Sequence, residues 1–121
     1  MRVAVIGSRE LKVPNLGDYL PDETTVIVTG GAKGVDASAR DYALKHGLSL
    51  KEFLPEYDKY GRLAPLMRNL EIIAYADLVL AFWDGTSSGT AFVIRKCRKL
   101  GRACRVFIRK ETKDMGIDEQ K

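Results

Sequence analysis

Two periodicities alternate along this chain. Short apolar runs rich in β-branched residues mark strands buried on both faces, and between them apolar residues return every three to four positions, the spacing of a helix face. Residues 2–6 form the first run and stop at Gly7-Ser8-Arg9, a strand leading into a loop. Residues 13–20 are ambiguous: Leu16, Tyr19 and Leu20 suit one face of a short helix, whereas Pro14 and Gly17 oppose it. Residues 25–29, Thr-Val-Ile-Val-Thr, make the clearest strand, and Gly30-Gly31-Ala32-Lys33-Gly34 follows at once. A helix is predicted from Val35 to His46, with Val35, Ala39, Tyr42 and Ala43 on its inner side. Asp36–Arg40 and Asp41–Lys45 are ion pairs in the favourable order along it, and Gly47 ends it.

Residues 48–54 read as a weaker strand at a sheet edge, stopped by Pro55, and 56–62 as a polar loop. Leu63, Leu66, Met67, Leu70, Ile73 and Ala74 then predict a helix with Pro65 in its first turn. Residues 77–82 are another buried strand, and the loop 83–90 opens a helix reaching about Leu100, with Val93, Ile94 and Cys97 inward. Gly101 ends that helix, and 103–108 is the last strand. This order implies a single Rossmann-like three-layer α/β/α domain over residues 1–109, built on a mainly parallel five-stranded sheet. The highly charged segment 110–121 reads as a flexible tail.

Composition narrows the class of protein. At 121 residues the chain is one domain, long enough to bury a core without disulfides or a structural metal. No apolar run approaches the ~20 residues of a membrane helix. The opening strand is too short and too soon broken for a signal peptide, so the expected location is the cytoplasm. Cys97 and Cys104 form no ligand cluster and are expected as reduced, partly buried thiols. His46 is the sole histidine, a polar residue near a helix end, so neither a metal site nor a histidine-based triad is expected. A net charge of +4 favours anionic partners.

The unusual residues sit in three strand-to-helix loops: Gly7-Ser8-Arg9, residues 30–36, and residues 84–90. Each leaves the carboxyl end of a strand, so all three belong on the rim where open parallel sheets bind ligands. Glycines let backbone approach a ligand closely, and helix N-termini offer unpaired N–H groups and partial positive charge to phosphate. Ser8, Thr86, Ser87, Ser88 and Thr90 add hydroxyls, and Arg9 adds a guanidinium. Asp36 is either a ligand contact or a carboxylate placed by the helix start, and Ser87 and Ser88 are either donors to a ligand or caps of the last helix. The pattern matches neither GxGxxG nor GxxxxGK[ST].

Ile6-Gly7-Ser8-Arg9, Val28-Thr29-Gly30-Gly31-Ala32-Lys33-Gly34-Val35-Asp36, Arg68-Asn69 and Asp84-Gly85-Thr86-Ser87-Ser88-Gly89-Thr90, in this order and spacing, carry a family likeness. The chain resembles the SLOG superfamily, the Rossmann-like group that holds DprA, the Lonely-Guy hydrolases and the molybdenum-cofactor carriers. It is most similar to the small stand-alone members of bacteria and phages. The resemblance spans residues 3 to about 106. It implies a bound nucleotide or nucleotide-derived molecule, such as an ADP-ribose or NAD-like species, with no further cofactor required. By position the ligand contacts are Gly7, Ser8, Arg9, Gly30, Gly31, Lys33, Gly34, Asp36, Arg68, Asn69, Ser88, Gly89 and Thr90. The family habit is a homodimer or higher assembly, and Tyr75, Trp83 and Phe92 are open between core and interface.

One departure bears on activity. Lonely-Guy hydrolases place a glutamate three residues after a Gly-Thr pair, with an arginine on the preceding helix; here Val93 occupies the glutamate position and Arg68 resembles the arginine. Valine carries no proton. Glu71 and Asp84 are the remaining candidate carboxylates, with Glu71 more simply a solvated surface charge. The reading is therefore a protein that senses, carries or sequesters a phosphorylated small molecule, with a nucleoside-monophosphate N-glycoside hydrolase as the alternative. A second alternative is a DprA-like single-stranded nucleic-acid binder, for which Arg95, Lys96, Arg98, Lys99, Arg102, Arg105 and Arg109 supply positive charge. Cations at a helix C-terminus also complement its dipole, and stacking aromatics are sparse beside them.

Overall fold

The apolar runs do become the strands of one sheet. The computed structural model describes residues 1–109, so the segment 110–121, expected as a tail, lies outside the described residues. Five strands, β1 (Arg2–Gly7), β2 (Val26–Thr29), β3 (Ser49–Glu52), β4 (Leu78–Trp83) and β5 (Cys104–Ile108), pair in parallel throughout in the order β3-β2-β1-β4-β5. The weaker strand read at 48–54 is indeed at an edge, shortened to four residues. Four helices connect the strands: α1 (Val35–His46), α2 (Tyr57–Tyr60), α3 (Ala64–Tyr75) and α4 (Ser88–Leu100). Gly47 and Gly101 both end their helices in the left-handed conformation.

Side chains along β1 alternate between two cores, because successive residues of a strand point to opposite faces. Val3 and Val5 join Ile27, Leu78, Leu80 and Phe82 under α1, whose Val35, Ala39 and Ala43 are buried against them. Ala4 and Ile6 join Val28, Val79 and Ala81 under α3 and α4, through Ile72, Ile73, Ala76, Val93, Ile94 and Cys97. Burial of each Val, Leu, Ile or Phe among them stabilises the fold by about 1.5–3 kcal/mol. Two cores on opposite faces of one parallel sheet make the Rossmann-like three-layer arrangement that the strand–helix order predicted. No helix among the described residues is long and apolar enough to cross a membrane.

The local departures have identifiable causes. The ambiguous segment 13–20 forms a single 3-10 turn, Leu16–Asp18, which keeps Leu16 buried despite Gly17. Residues 56–62, read as a polar loop, contain α2 and a 3-10 turn (Gly61–Leu63), held by packing of α2 against α3. On α3 the buried positions are Ala64, Ile72 and Ile73, with Ala76 just beyond, while Ala74 is exposed. The pair Asp36–Arg40 does not form, because Asp36 turns inward and Arg40 reaches Glu52 at 3.7 Å. Asp41 and Lys45 form no ion pair among the described residues either.

Candidate functional site

From β1 the sheet grows one way to β2 and β3 and the other way to β4 and β5. Chain connections leaving β1 and β4 therefore part to opposite faces, and such a switch point leaves a crevice beyond the strand ends. A cleft of about 440 Å³ lies there. It is lined by Ile6, Gly7, Ser8, Arg9 and Glu10 after β1, Ala32 and Asp36 before and in α1, Pro65, Leu66, Arg68 and Asn69 on α3, and Ser87, Ser88, Gly89, Thr90 and Val93 at α4.

The three loops are bound to one another. Ser8, 2 % exposed, donates its amide to Phe82 O at 3.0 Å, and its hydroxyl accepts from the Asp84 amide at 3.0 Å. The Ser8 and Ser87 hydroxyls are 2.8 Å apart, and the Ser87 hydroxyl lies 2.8 Å from Asp84 Oδ1. With one proton per hydroxyl, the chain runs from Ser8 to Ser87 to the carboxylate, so both serines are engaged in joining loops. Gly34, at φ +70°, presses against the Ser8 and Arg9 carbonyl groups, where a Cβ would lie 2.7 Å from Ser8 O. The rim shared by three loops is thus a continuous structure.

Asp84 organises the third loop. Its Oδ1 accepts from the Thr86 amide at 2.9 Å, the Ser87 amide at 2.8 Å and both hydroxyls. Removal from water pushes this carboxyl up, but the four hydrogen bonds outweigh it and hold the group well below the usual carboxylate range. A carboxylate so held is a weak base, and Asp84 does not line the cleft. Because the folded-state value is depressed, its stabilisation is present above the unfolded value of about 4 and is lost as pH falls further. Urea unfolding of Asp84→Ala is expected to show a loss of about 1–3 kcal/mol at pH 7. The gap from wild type should narrow at pH 3; an equal gap at both pH values would contradict the assignment.

Arg68 ties α3 to the loop after β2. Its Nη1 donates to Gly30 O and, at 3.4 Å, to Phe53 O, while Nε donates to Asn69 Oδ1 at 2.9 Å. The guanidinium covers Gly30 so closely that a Cβ there would meet it. Burial pushes Arg68 below its ordinary value against the pull of Asp36. Nη2 has no hydrogen-bond partner among the described residues, so one edge of the guanidinium remains for a ligand. Asp36, 5 % exposed, accepts the Gly30 and Ala32 amides on Oδ2 at 3.0 and 3.2 Å. Its burial pushes the carboxyl up, opposed by those amides and by Arg68. It orients its own loop while bordering the cleft.

The remaining donors gather at α4. Ser87 stands before this helix but does not cap it with its side chain. The Ala91 amide donates to Ser87 O at 3.2 Å, and the amides of Ser88, Gly89 and Thr90 ahead of it have no helical acceptor. Thr90 as a whole residue is 5 % exposed; its hydroxyl has no hydrogen-bond partner among the described residues and is not sealed from solvent.

Of the residues named from sequence, Gly7, Ser8, Arg9, Asp36, Arg68, Asn69, Ser88, Gly89 and Thr90 line the cleft. Gly30, Gly31, Lys33 and Gly34 do not. Gly30 and Gly34 serve contacts within the protein, and Lys33 is exposed. Glu71 is exposed on α3 outside the cleft, whereas Val93 lines it. Ala32, Pro65, Leu66 and Ser87 also line the cleft; Pro65 lies one turn before Arg68, so its place on the same face was readable from the helix period. Arg95, Arg98, Lys99 and Arg105 are exposed away from the cleft, while Arg102 donates to Ile73 O at 3.0 Å. Tyr75, Trp83 and Phe92 are half-buried around the α3–α4 core, Trp83 donating to Ser87 O at 3.0 Å. Cys97 and Cys104 are free thiols in contact; Cys104 and burial push the Cys97 thiol up, away from the reactive thiolate.

Fold and cleft together define a Rossmann-like α/β domain with a polar crevice at the switch point of a parallel sheet. The chain is 34 % identical over 113 residues to the Gene 61 protein of Mycobacterium phage D29, a match covering 83 % of this chain and 90 % of that protein. It belongs to the family of that phage protein. No family model matches the chain. No solved structure matches it either.

Proposed function

We propose that this chain binds a phosphorylated small molecule, a nucleotide or a nucleotide derivative, with its anionic group at the first turn of α4. The first turn of α4 carries the reading: Thr90, in the cleft wall, has a hydroxyl with no protein partner, beside three amides that lack helical acceptors. A helix N-terminus favours an anion by both its N–H groups and its dipole, and a free hydroxyl beside it adds one more donor. Arg9 and the free edge of Arg68 add charge around the same space. The likeness to the SLOG superfamily supports the same class of ligand, including ADP-ribose and NAD-like molecules. The hydrolase alternative lacks a carboxylate at Val93, and Asp84 is occupied in its own loop.

Titration calorimetry with inorganic phosphate, the four nucleoside 5′-monophosphates, ADP-ribose and NAD tests this. At least one should bind, and Thr90→Val, nearly equal in shape, should weaken it roughly ten- to a hundredfold. Silence from every anion, or an unchanged affinity in the variant, rejects the proposal.

A further inference from the structure

The chain holds two cysteines, and the fold brings them together away from the cleft. Cys97 is the last buried side chain of α4, on the face that packs over β4 and β5. The chain leaves α4 through Gly101 in the left-handed conformation, and the Arg102 amide returns to Cys97 O at 2.9 Å. Arg102 Nε is itself fixed on Ile73 O at 3.0 Å. β5 then begins at Cys104, opposite Val79. Strand residues alternate in face, so Cys104 and Val106 point to one side, and both pack on the core that contains Cys97. The turn thus sets the first side chain of β5 against the last buried one of α4, with the two thiols in hydrogen-bonding contact. Their surroundings differ. Cys97 is fully enclosed, whereas Cys104 is partly exposed on an edge strand, within reach of the Arg98 charge. No acidic residue occurs at positions 85–110, so the segment that carries the pair is purely cationic.

We propose that Cys104 is a thiol-modification site and Cys97 its resolving partner, a pair that small disulfides such as glutathione disulfide convert reversibly into an intramolecular disulfide. Cys104, its proton released to water, attacks one sulfur of the small disulfide. That S–S bond breaks; one glutathione leaves as thiolate and takes up a proton, and the other stays on Cys104 as a mixed disulfide. Cys97 then gives up its proton and attacks Cys104 Sγ, expelling the second glutathione thiolate, which takes up that proton. Two protein thiols are oxidised, and one small disulfide is reduced to two thiols. The roles follow from position. Cys104 is the sulfur that solvent reaches, and the Cys97 thiol hydrogen-bonded to it, with Arg98 beyond, holds it below the ordinary thiol value against its burial. Cys97 has no access for the small disulfide, yet it touches the sulfur on which the mixed disulfide forms. The closed bond ties the last turn of α4 to β5 across the Gly101 turn, and nothing in it depends on a ligand at the other end of α4.

In the test, the reduced chain is incubated with glutathione disulfide, quenched with an alkylating agent and weighed by mass spectrometry. Wild type should end as a monomer lighter by two hydrogens, without bound glutathione, and reduced glutathione should restore the thiols. Cys97→Ala, an apolar replacement in an apolar core, should stop at the glutathione adduct on Cys104. Cys104→Ala should form an adduct at least about tenfold more slowly than Cys97→Ala. The two cysteines are also near in sequence, so wild type in urea is the control for the fold. At one glutathione poise, the ratio of disulfide to dithiol should be about tenfold or more higher in the native chain than in urea. A native chain that stays reduced, stops at an adduct or dimerises through sulfur overturns the proposal. A native ratio no higher than in urea also overturns it, since the bond then reflects sequence proximity alone. Equal reactivity of the two folded variants reverses the assignment of roles and overturns it as well; should either variant fail to fold, the wild-type arms decide.

Discussion

Gly34→Ala is expected to lower the unfolding free energy by about 2–5 kcal/mol, measured by urea denaturation. Two effects add. The residue has φ +70°, a conformation that costs a residue with a Cβ about 1–2 kcal/mol. The new methyl would also lie 2.6 Å from the Arg9 carbonyl carbon and 2.7 Å from Ser8 O, backbone that cannot rotate away, and such overpacking adds about 1–3 kcal/mol. Gly47→Ala gives a lower bound on the conformational part, since Gly47 is left-handed at φ +70° and ψ +23° with nothing within 4 Å of its would-be Cβ, whereas Gly34 at ψ −119° lies in a region still less open to a Cβ. That control should lose only about 1–2 kcal/mol. Equal losses at the two positions would show that the first and second loops do not press on each other.

Gly89→Glu is expected to leave the fold intact and weaken phosphate or nucleotide binding by roughly a hundredfold or more. A Cβ at Gly89 meets nothing within 4 Å, so the side chain is accommodated. A carboxylate in the first turn of a helix is favourable to the helix, by about 0.3–1 kcal/mol. The same charge stands where the ligand's anion belongs, and like charges in contact across an interface cost several kcal/mol. Stability and affinity thus move in opposite directions, a combination that general damage to the protein does not produce. Thermal unfolding checks the first half and calorimetry the second; retention of full affinity would exclude the α4 terminus as the anion site.

Much of the fold was legible because strands and helices here obey their periods. The bounds of α1 were readable to the residue, since Gly34 and Gly47 punctuate a regular apolar face. α3 was less so. Its Leu66, Met67 and Leu70 are only half-buried, with Leu66 turned to the cleft, and no sequence period tells a cleft wall from a core face. α2 was missed because a polar four-residue helix is decided by what it packs against.

The site was legible in its loops and misleading in its glycines. A glycine that admits a ligand and one that admits another stretch of protein look alike in sequence. Gly7 is close to the Phe82 carbonyl and Val35, Gly30 lies under Arg68, and Gly34 abuts the first loop. All three serve internal approach, whereas Gly89 faces open space. The hydroxyls divide in the same manner: Ser8 and Ser87 are used up in the chain to Asp84, and Thr90 is not.

The central position of β1 has a consequence for synthesis. Val3 pairs with Leu78, and the carboxyl end of β1 pairs with Phe82, so one edge of β1 waits for a partner some 75 residues downstream. At ~5–20 residues per second that is an interval of several seconds, during which the nascent chain displays an apolar strand with a free row of amides and carbonyls. Since the crevice needs both sides of β1, no truncated product ending before β4 can form it, and its walls are complete only when the last-made pairings are.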